Sequence, residues 1–93
     1  MRNGNNYKIL FSNTALKDKE KIINSGLGKK CQTILNLMME NPYCYPPSYE
    51  KLSGKLSNYY SRRINLQHRL VYQVDEDKKE IHIIRMWTHY DKV

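Results

Sequence analysis

Cysteine is scarce in this chain: Cys31 and Cys44 are the only two among 93 residues. Two thiols this far apart do not make a disulfide framework, and no neighbouring Cys/His pair has zinc-ligand spacing. Both read as free thiols of a reducing compartment, and neither a metal nor another cofactor is expected. Long apolar runs are missing too, so nothing approaches the roughly 20 residues of a membrane span. The opening Met1-Arg2-Asn3-Gly4-Asn5-Asn6 lacks the apolar centre of a signal peptide. Residues 1–6 are therefore expected to be flexible, and the chain to be cytoplasmic with no membrane partner. There is no internal repeat and no low-complexity linker. Ninety-three residues supply one core and not two, so residues 1–93 read as a single domain.

The most informative shortage is of acid. Lys and Arg number 16 against nine Asp and Glu, a formal charge of +7. Between Asn41 and Val74, Glu50 is the single acid beside five bases, Lys51, Lys55, Arg62, Arg63 and Arg69. A basic surface suits a phosphate-rich partner, because neutralising phosphates releases counterions. On composition alone, a solvated face that merely aids solubility is an equally good reading.

Pattern supplies what composition does not. Tyr7–Phe11 alternates and is rich in strand formers. Ser12 or Asn13 can cap a helix whose apolar side carries Ala15, Leu16, Ile22 and Ile23, with Asp18 near its positive end and Gly26 placed to end it. Leu27, Cys31, Ile34, Leu35 and Met38 give the strongest helical period, predicting a second helix from about Gly28 to Glu40 that Pro42 forbids from continuing. So short a break makes the two helices an antiparallel hairpin. Asn41–Tyr49 reads as a loop, with Leu52 and Leu56 as anchors beyond it.

The segment Tyr59–Val74 then reads as two strands and a turn. Tyr60, Ile64 and Leu66 share one parity, and Ser61, Arg63 and Asn65 the other. In the second strand Leu70, Tyr72 and Val74 alternate with Arg69, Val71 and Gln73. Successive side chains point to opposite faces, so each strand buries an apolar row and aims an arginine, Arg63 or Arg69, the other way. A polar turn at Asp75–Lys79 feeds a last strand from Glu80 to Trp87. The expected fold is α+β in two layers: a helical hairpin on one face of a mainly antiparallel four-stranded sheet, in the order β-α-α-β-β-β.

Two guanidinium groups side by side call for an anion between them. Glu50, Arg63, Arg69 and His89 brought together could cut RNA without a metal. A base takes the proton of a 2′-hydroxyl, its oxygen attacks the adjacent phosphate, and an acid protonates the departing 5′-oxygen. Fixed arginines offset the charge that grows on the phosphoryl oxygens. Glu50 is the lone carboxylate of the basic segment, and His89 has the side chain that titrates near neutrality. Glu50 as base and His89 as acid is the preferred assignment, with exchange of the two roles left open. Tyr90 adds a phenol able to bond phosphate or stack on a base. Arg62, of opposite parity to Arg63, is left as an edge or RNA contact.

The run Ser61-Arg62-Arg63-Ile64, then Gln67-His68-Arg69-Leu70-Val71-Tyr72, with His89-Tyr90 near the C-terminus, resembles the YoeB/Txe toxins of the RelE/ParE superfamily. That resemblance implies the RelE-like, microbial-ribonuclease-like fold. It also implies the toxic half of a bacterial type II toxin–antitoxin pair, a ribosome-dependent endonuclease that cuts mRNA in the A site and inhibits translation. By motif position the family's catalytic glutamate falls on Glu50, its phosphate-binding arginines on Arg63 and Arg69, and its His-Tyr pair on His89 and Tyr90. The family lysine three residues after the glutamate is replaced here by Ser53, which leaves Lys51 or Lys55 as candidates for that contact. Implied partners are the ribosome and mRNA, a cognate acidic antitoxin of the YefM/Axe type, operator DNA only through that antitoxin, and a second copy in a homodimer. Two other classes share parts of this pattern: a ParE-like toxin that poisons gyrase without nuclease chemistry, and a noncatalytic nucleic-acid-binding module.

Overall fold

The structure, a computed structural model, describes residues 6–54 and 58–86. Strand β1 (Lys8–Phe11) leads directly into helix α1 (Asn13–Asn24). Ser12 is the N-cap, its hydroxyl accepting from the Ala15 N–H at 3.0 Å. Gly26 takes a φ of +87°, the left-handed turn that closes α1 and that a side chain would oppose. Helix α2 (Gly28–Glu40) then runs back and stops before Pro42. Strands β2 (Tyr49–Lys51), β3 (Tyr60–Arg63), β4 (Arg69–Asp75) and β5 (Glu80–Arg85) follow among the described residues.

Among the described residues the sheet has five strands in the order β1-β5-β4-β3-β2, where four were expected. The addition is β2, three residues paired antiparallel to β3 at one edge. At the other edge β1 lies parallel to β5, and the remaining pairs are antiparallel. The helical hairpin thus carries the chain from one edge of the sheet to the other. Cys31, Ile34, Leu35 and Met38 from α2 and Ala15 and Ile22 from α1 pack against Leu70, Tyr72, Ile81 and Ile83. Each large apolar side chain so buried contributes about 1.5–3 kcal/mol relative to exposure.

Helix α1 departs from its expected stripe. Leu16 and Ile23 are exposed, while Asp18 is buried with Ala15 and Ile22. The spacing 15, 18, 22 is one helical face. Asp18 is admitted because it accepts from Arg85 Nε at 2.8 Å and from the Met86 N–H at 3.0 Å. A buried carboxylate needs such partners, and this one ties α1 to the end of β5. Leu66, expected to share the buried row with Ile64, stands exposed at the tip of the β3–β4 turn.

Candidate active site

The β3–β4 turn sets the register on which the site depends. Asn65 Oδ1 accepts from the backbone N–H groups of Gln67 and His68 at 2.9 and 2.7 Å, and the Ile64 N–H donates to the His68 carbonyl. With the turn fixed, Arg63 pairs with Arg69 and Ser61 with Val71. A one-residue slip would send every one of these side chains to the other face. On the far side of β3, Ser61 pairs with Glu50 of β2. Glu50, Ser61, Arg63 and Arg69 therefore share the face away from the helices.

These four residues, with Ser48 and Tyr49, line an open hollow of about 250 Å³. Arg69 Nη1 stands 3.5 Å from Glu50 Oε1. That is the outer limit of a hydrogen bond, and the Glu50 side chain is 54% exposed. Like charges directly across a ladder repel, so the Arg63–Arg69 pairing favours an anion. Glu50 supplies one that is loosely held and can be displaced.

Arg62 corrects an expectation. It does not face an RNA: it is fully buried. Its Nε donates to the Tyr72 hydroxyl at 3.1 Å, Nη1 to the Pro47 carbonyl at 2.5 Å, and Nη2 to the carbonyls of Pro42 and Cys44 at 2.8 and 2.9 Å. The guanidinium also lies over the Tyr49 ring, 4.7 Å from its centre. The physical reason is the period of the strand. Beside Arg63 in sequence, Arg62 must point to the helix side, where the loop after α2 offers carbonyl oxygens that have no other strand to pair with. Arg62 thus holds the loop that leads into β2 and so helps place Glu50. Burial pushes the Tyr72 phenol up to about 12, although the adjacent guanidinium pulls it down.

The same loop has a second tether. The Tyr43 hydroxyl donates to Glu76 Oε2 at 2.5 Å, and the Tyr7 hydroxyl to Oε1 at 2.7 Å. These bonds, Tyr43 first, hold the Glu76 carboxyl below its ordinary range. Burial, and then the bond to Glu76, raises Tyr43 well above the usual phenol value. Tyr43 also packs edge-on to Tyr60 at 5.6 Å and near Tyr49 at 6.4 Å.

Of the remaining candidates, Lys51 points away from Glu50. It pairs with Tyr60 and lines a separate hollow of about 510 Å³ together with Asp75, Glu76 and Asp77. That larger hollow is acidic, which does not suit a phosphate. Lys55, His89 and Tyr90 lie outside the described residues, as does Leu56. His68, at the end of the β3–β4 turn, is buried. Among the described residues, Asp75, Glu80 and His82 form the one group whose ligand atoms, all within 4.8 Å, could hold a cation. His82 Nε2 is 3.0 Å from Glu80 Oε1, and Asp75 also accepts the Lys78 N–H of the turn. This group sits six residues along β4 from Arg69, roughly 20 Å away, and takes no part in the hollow. Two features were not singled out from sequence: the Asp18–Arg85 pair, and Ser61, whose shared parity with Arg63 was the available signal.

Residues 11–90 match the model of a family described as the YoeB-like toxin of bacterial type II toxin-antitoxin system. The toxin YoeB of Synechocystis sp. is 33% identical over 64 residues, 69% of this chain and 72% of that protein. A solved heterotetrameric complex of the YoeB-YefM toxin-antitoxin from Staphylococcus aureus superposes with a TM-score of 0.76 at 36% identity, covering 90% of this chain and 98% of that one. The YoeB dimer from Staphylococcus aureus gives 0.77 at 35% identity, over 91% and 99%.

Proposed function

The chain belongs to the YoeB-like toxins of bacterial type II toxin–antitoxin systems, and on that premise we propose that it is an endoribonuclease that cuts mRNA in the ribosomal A site and so inhibits translation. One observation carries this reading: the lone carboxylate of the basic segment stands 3.5 Å from Arg69, with Arg63 across the ladder, all on one open hollow. A phosphodiester seated there takes the guanidinium donors. Glu50 accepts the proton of the neighbouring 2′-hydroxyl, and its oxygen attacks phosphorus. The bond to the 5′-oxygen breaks, and His89 protonates the leaving oxygen. The products are a 2′,3′-cyclic phosphate and a 5′-hydroxyl. Arg63 and Arg69 stabilise the charge that develops between these states, each worth about 3–4 kcal/mol in sites of this kind. DNA, without a 2′-hydroxyl, is not a substrate. Tyr90 and Lys55 complete the contacts to RNA in this reading. The solved relatives support two partners, an acidic antitoxin of the YefM type, whose charge suits a +7 chain, and a second copy of the chain.

The test maps the 5′ ends of messages after brief expression, with Glu50→Gln alongside. Wild type is expected to leave cuts tied to codon position. Glu50→Gln is expected to lose them by about 100-fold or more while melting at the same temperature, since the side chain is half exposed. Cuts that persist in Glu50→Gln, or growth arrest with supercoiling defects and no cuts, would end the nuclease reading.

A further inference from the structure

Ser61 carries a buried hydroxyl. It is 1% exposed, its Oγ is sealed from solvent, and it has no hydrogen-bond partner among the described residues. Buried polar groups are nearly always paired, and one left alone costs free energy that a protein retains only for a reason. The place of this orphan is informative. It lies on the floor of the hollow, directly across the β2–β3 ladder from Glu50 and two residues before Arg63 on the same face.

We infer that Ser61 is a positioning residue for Glu50: its hydroxyl is the donor that takes up the Glu50 carboxylate once a phosphodiester occupies Arg69. The inference rests on the nuclease reading proposed above. A phosphate and a carboxylate compete for the guanidinium that Glu50 now touches at the 3.5 Å limit. The carboxylate must yield, and it must still be held. Residues directly opposite on an antiparallel pair have Cβ atoms about 4.5–5.5 Å apart, so Ser61 Oγ lies within the span of the Glu50 side chain, and the movement that takes the carboxylate off Arg69 must also uncover this hydroxyl, which is closed to water in the free protein. The carboxylate oxygen that Ser61 does not hold is then free to accept the 2′-hydroxyl proton. The serine proton stays on serine throughout.

This arrangement has a signature that a structural hydroxyl lacks. Ser61→Ala removes an unpaired group from the free protein, so the variant should melt at the wild-type temperature or above. On programmed ribosomes its kcat should fall on the order of tenfold, the worth of one good hydrogen bond, with KM unchanged. The acid limb of its rate profile should move to higher pH, because losing a donor to the charged form raises a carboxylate's pKa. Ser61→Thr, which keeps the hydroxyl, should stay within about twofold of wild type. Full activity in Ser61→Ala, a lowered melting temperature, an unmoved acid limb, or a threonine variant as slow as alanine would overturn the assignment while wild type still cleaves. A wild-type chain that fails to cleave would overturn the nuclease reading itself, and this role with it.

Discussion

Arg62 and Arg63 are adjacent, chemically identical, and put to opposite uses. Arg62 points to the helix side and spends four N–H donors on three carbonyls and a phenol, with no exposure to solvent. Arg63 points to the open side, is exposed, and faces another arginine. On the closed side a guanidinium acts as a bracket for irregular backbone. On the open side it waits for an anion that the fold only partly provides. The difference teaches that a basic motif is not by itself a measure of phosphate binding. The pleat of a single strand assigns one charge to architecture and the next to chemistry.

The strongest way to break that contrast is to remove the bracket. Arg62→Met leaves the buried carbonyl of Pro42 and the part-buried carbonyls of Cys44 and Pro47 without their donor. Each acceptor left unpaired away from water costs about 1–3 kcal/mol, and together they are a large share of the 5–15 kcal/mol typical of a domain. Urea unfolding of the purified chain should show it, and Arg62→Lys should not restore it, because an ammonium cannot reach three carbonyls in one plane. A change under about 1 kcal/mol would mean that the loop holds itself.

The matching change on the open side should invert the result. Arg63→Ala should leave the unfolding midpoint within about 0.5 kcal/mol of wild type, as exposed substitutions do, or raise it slightly by relieving the repulsion with Arg69. Cleavage on ribosomes should fall about 100- to 1,000-fold, the usual cost of one transition-state donor. If Arg63→Ala instead unfolds the protein and spares its activity, the two sides of the strand have been assigned the wrong way round.

The contrast was half legible in the sequence. Period-two alternation in Ser61–Arg63 and Arg69–Val74 put Arg63 and Arg69 on one face and Arg62 on the other, and helix α2 ends where its apolar period and Pro42 said it should. The destination of Arg62 was not legible. Its partners lie 15 to 20 residues upstream in a loop without periodicity. Strand β2 escaped for a related reason: three residues cannot show alternation, and the pairing with β3 that makes them a strand is a tertiary fact. Apolarity alone selected Leu16 and Ile23 for the core of α1, whereas the buried position went to Asp18 because Arg85 and the Met86 N–H meet it there. Of the site, Glu50, Arg63 and Arg69 gather on one hollow as read, while His89, Tyr90 and Lys55 lie outside the described residues.

The smallest expected effect sharpens the closed side, where the loop held by Arg62 has its second tether in Tyr43 and Glu76. The two tethers should differ in their response to acid. Arg62 donates to neutral carbonyls and a phenol, so its hold does not change on mild acidification. Glu76 is a carboxylate whose folded pKa lies below its ordinary 4.5, because the hydroxyls of Tyr43 and Tyr7 bond its charged form. A depressed carboxylate stabilises the fold above its unfolded pKa, and that contribution fades as pH falls through the lower folded value. Tyr43→Phe should therefore cost about 1 kcal/mol or less at pH 7, and the cost should shrink below about pH 4 as Glu76 is protonated in both proteins. Urea midpoints of the two chains at pH 7 and pH 3.5 provide the comparison. No difference at either pH would show that the ring packing of Tyr43 against Tyr60, which phenylalanine keeps, and not the bond to Glu76, fastens this end of the loop.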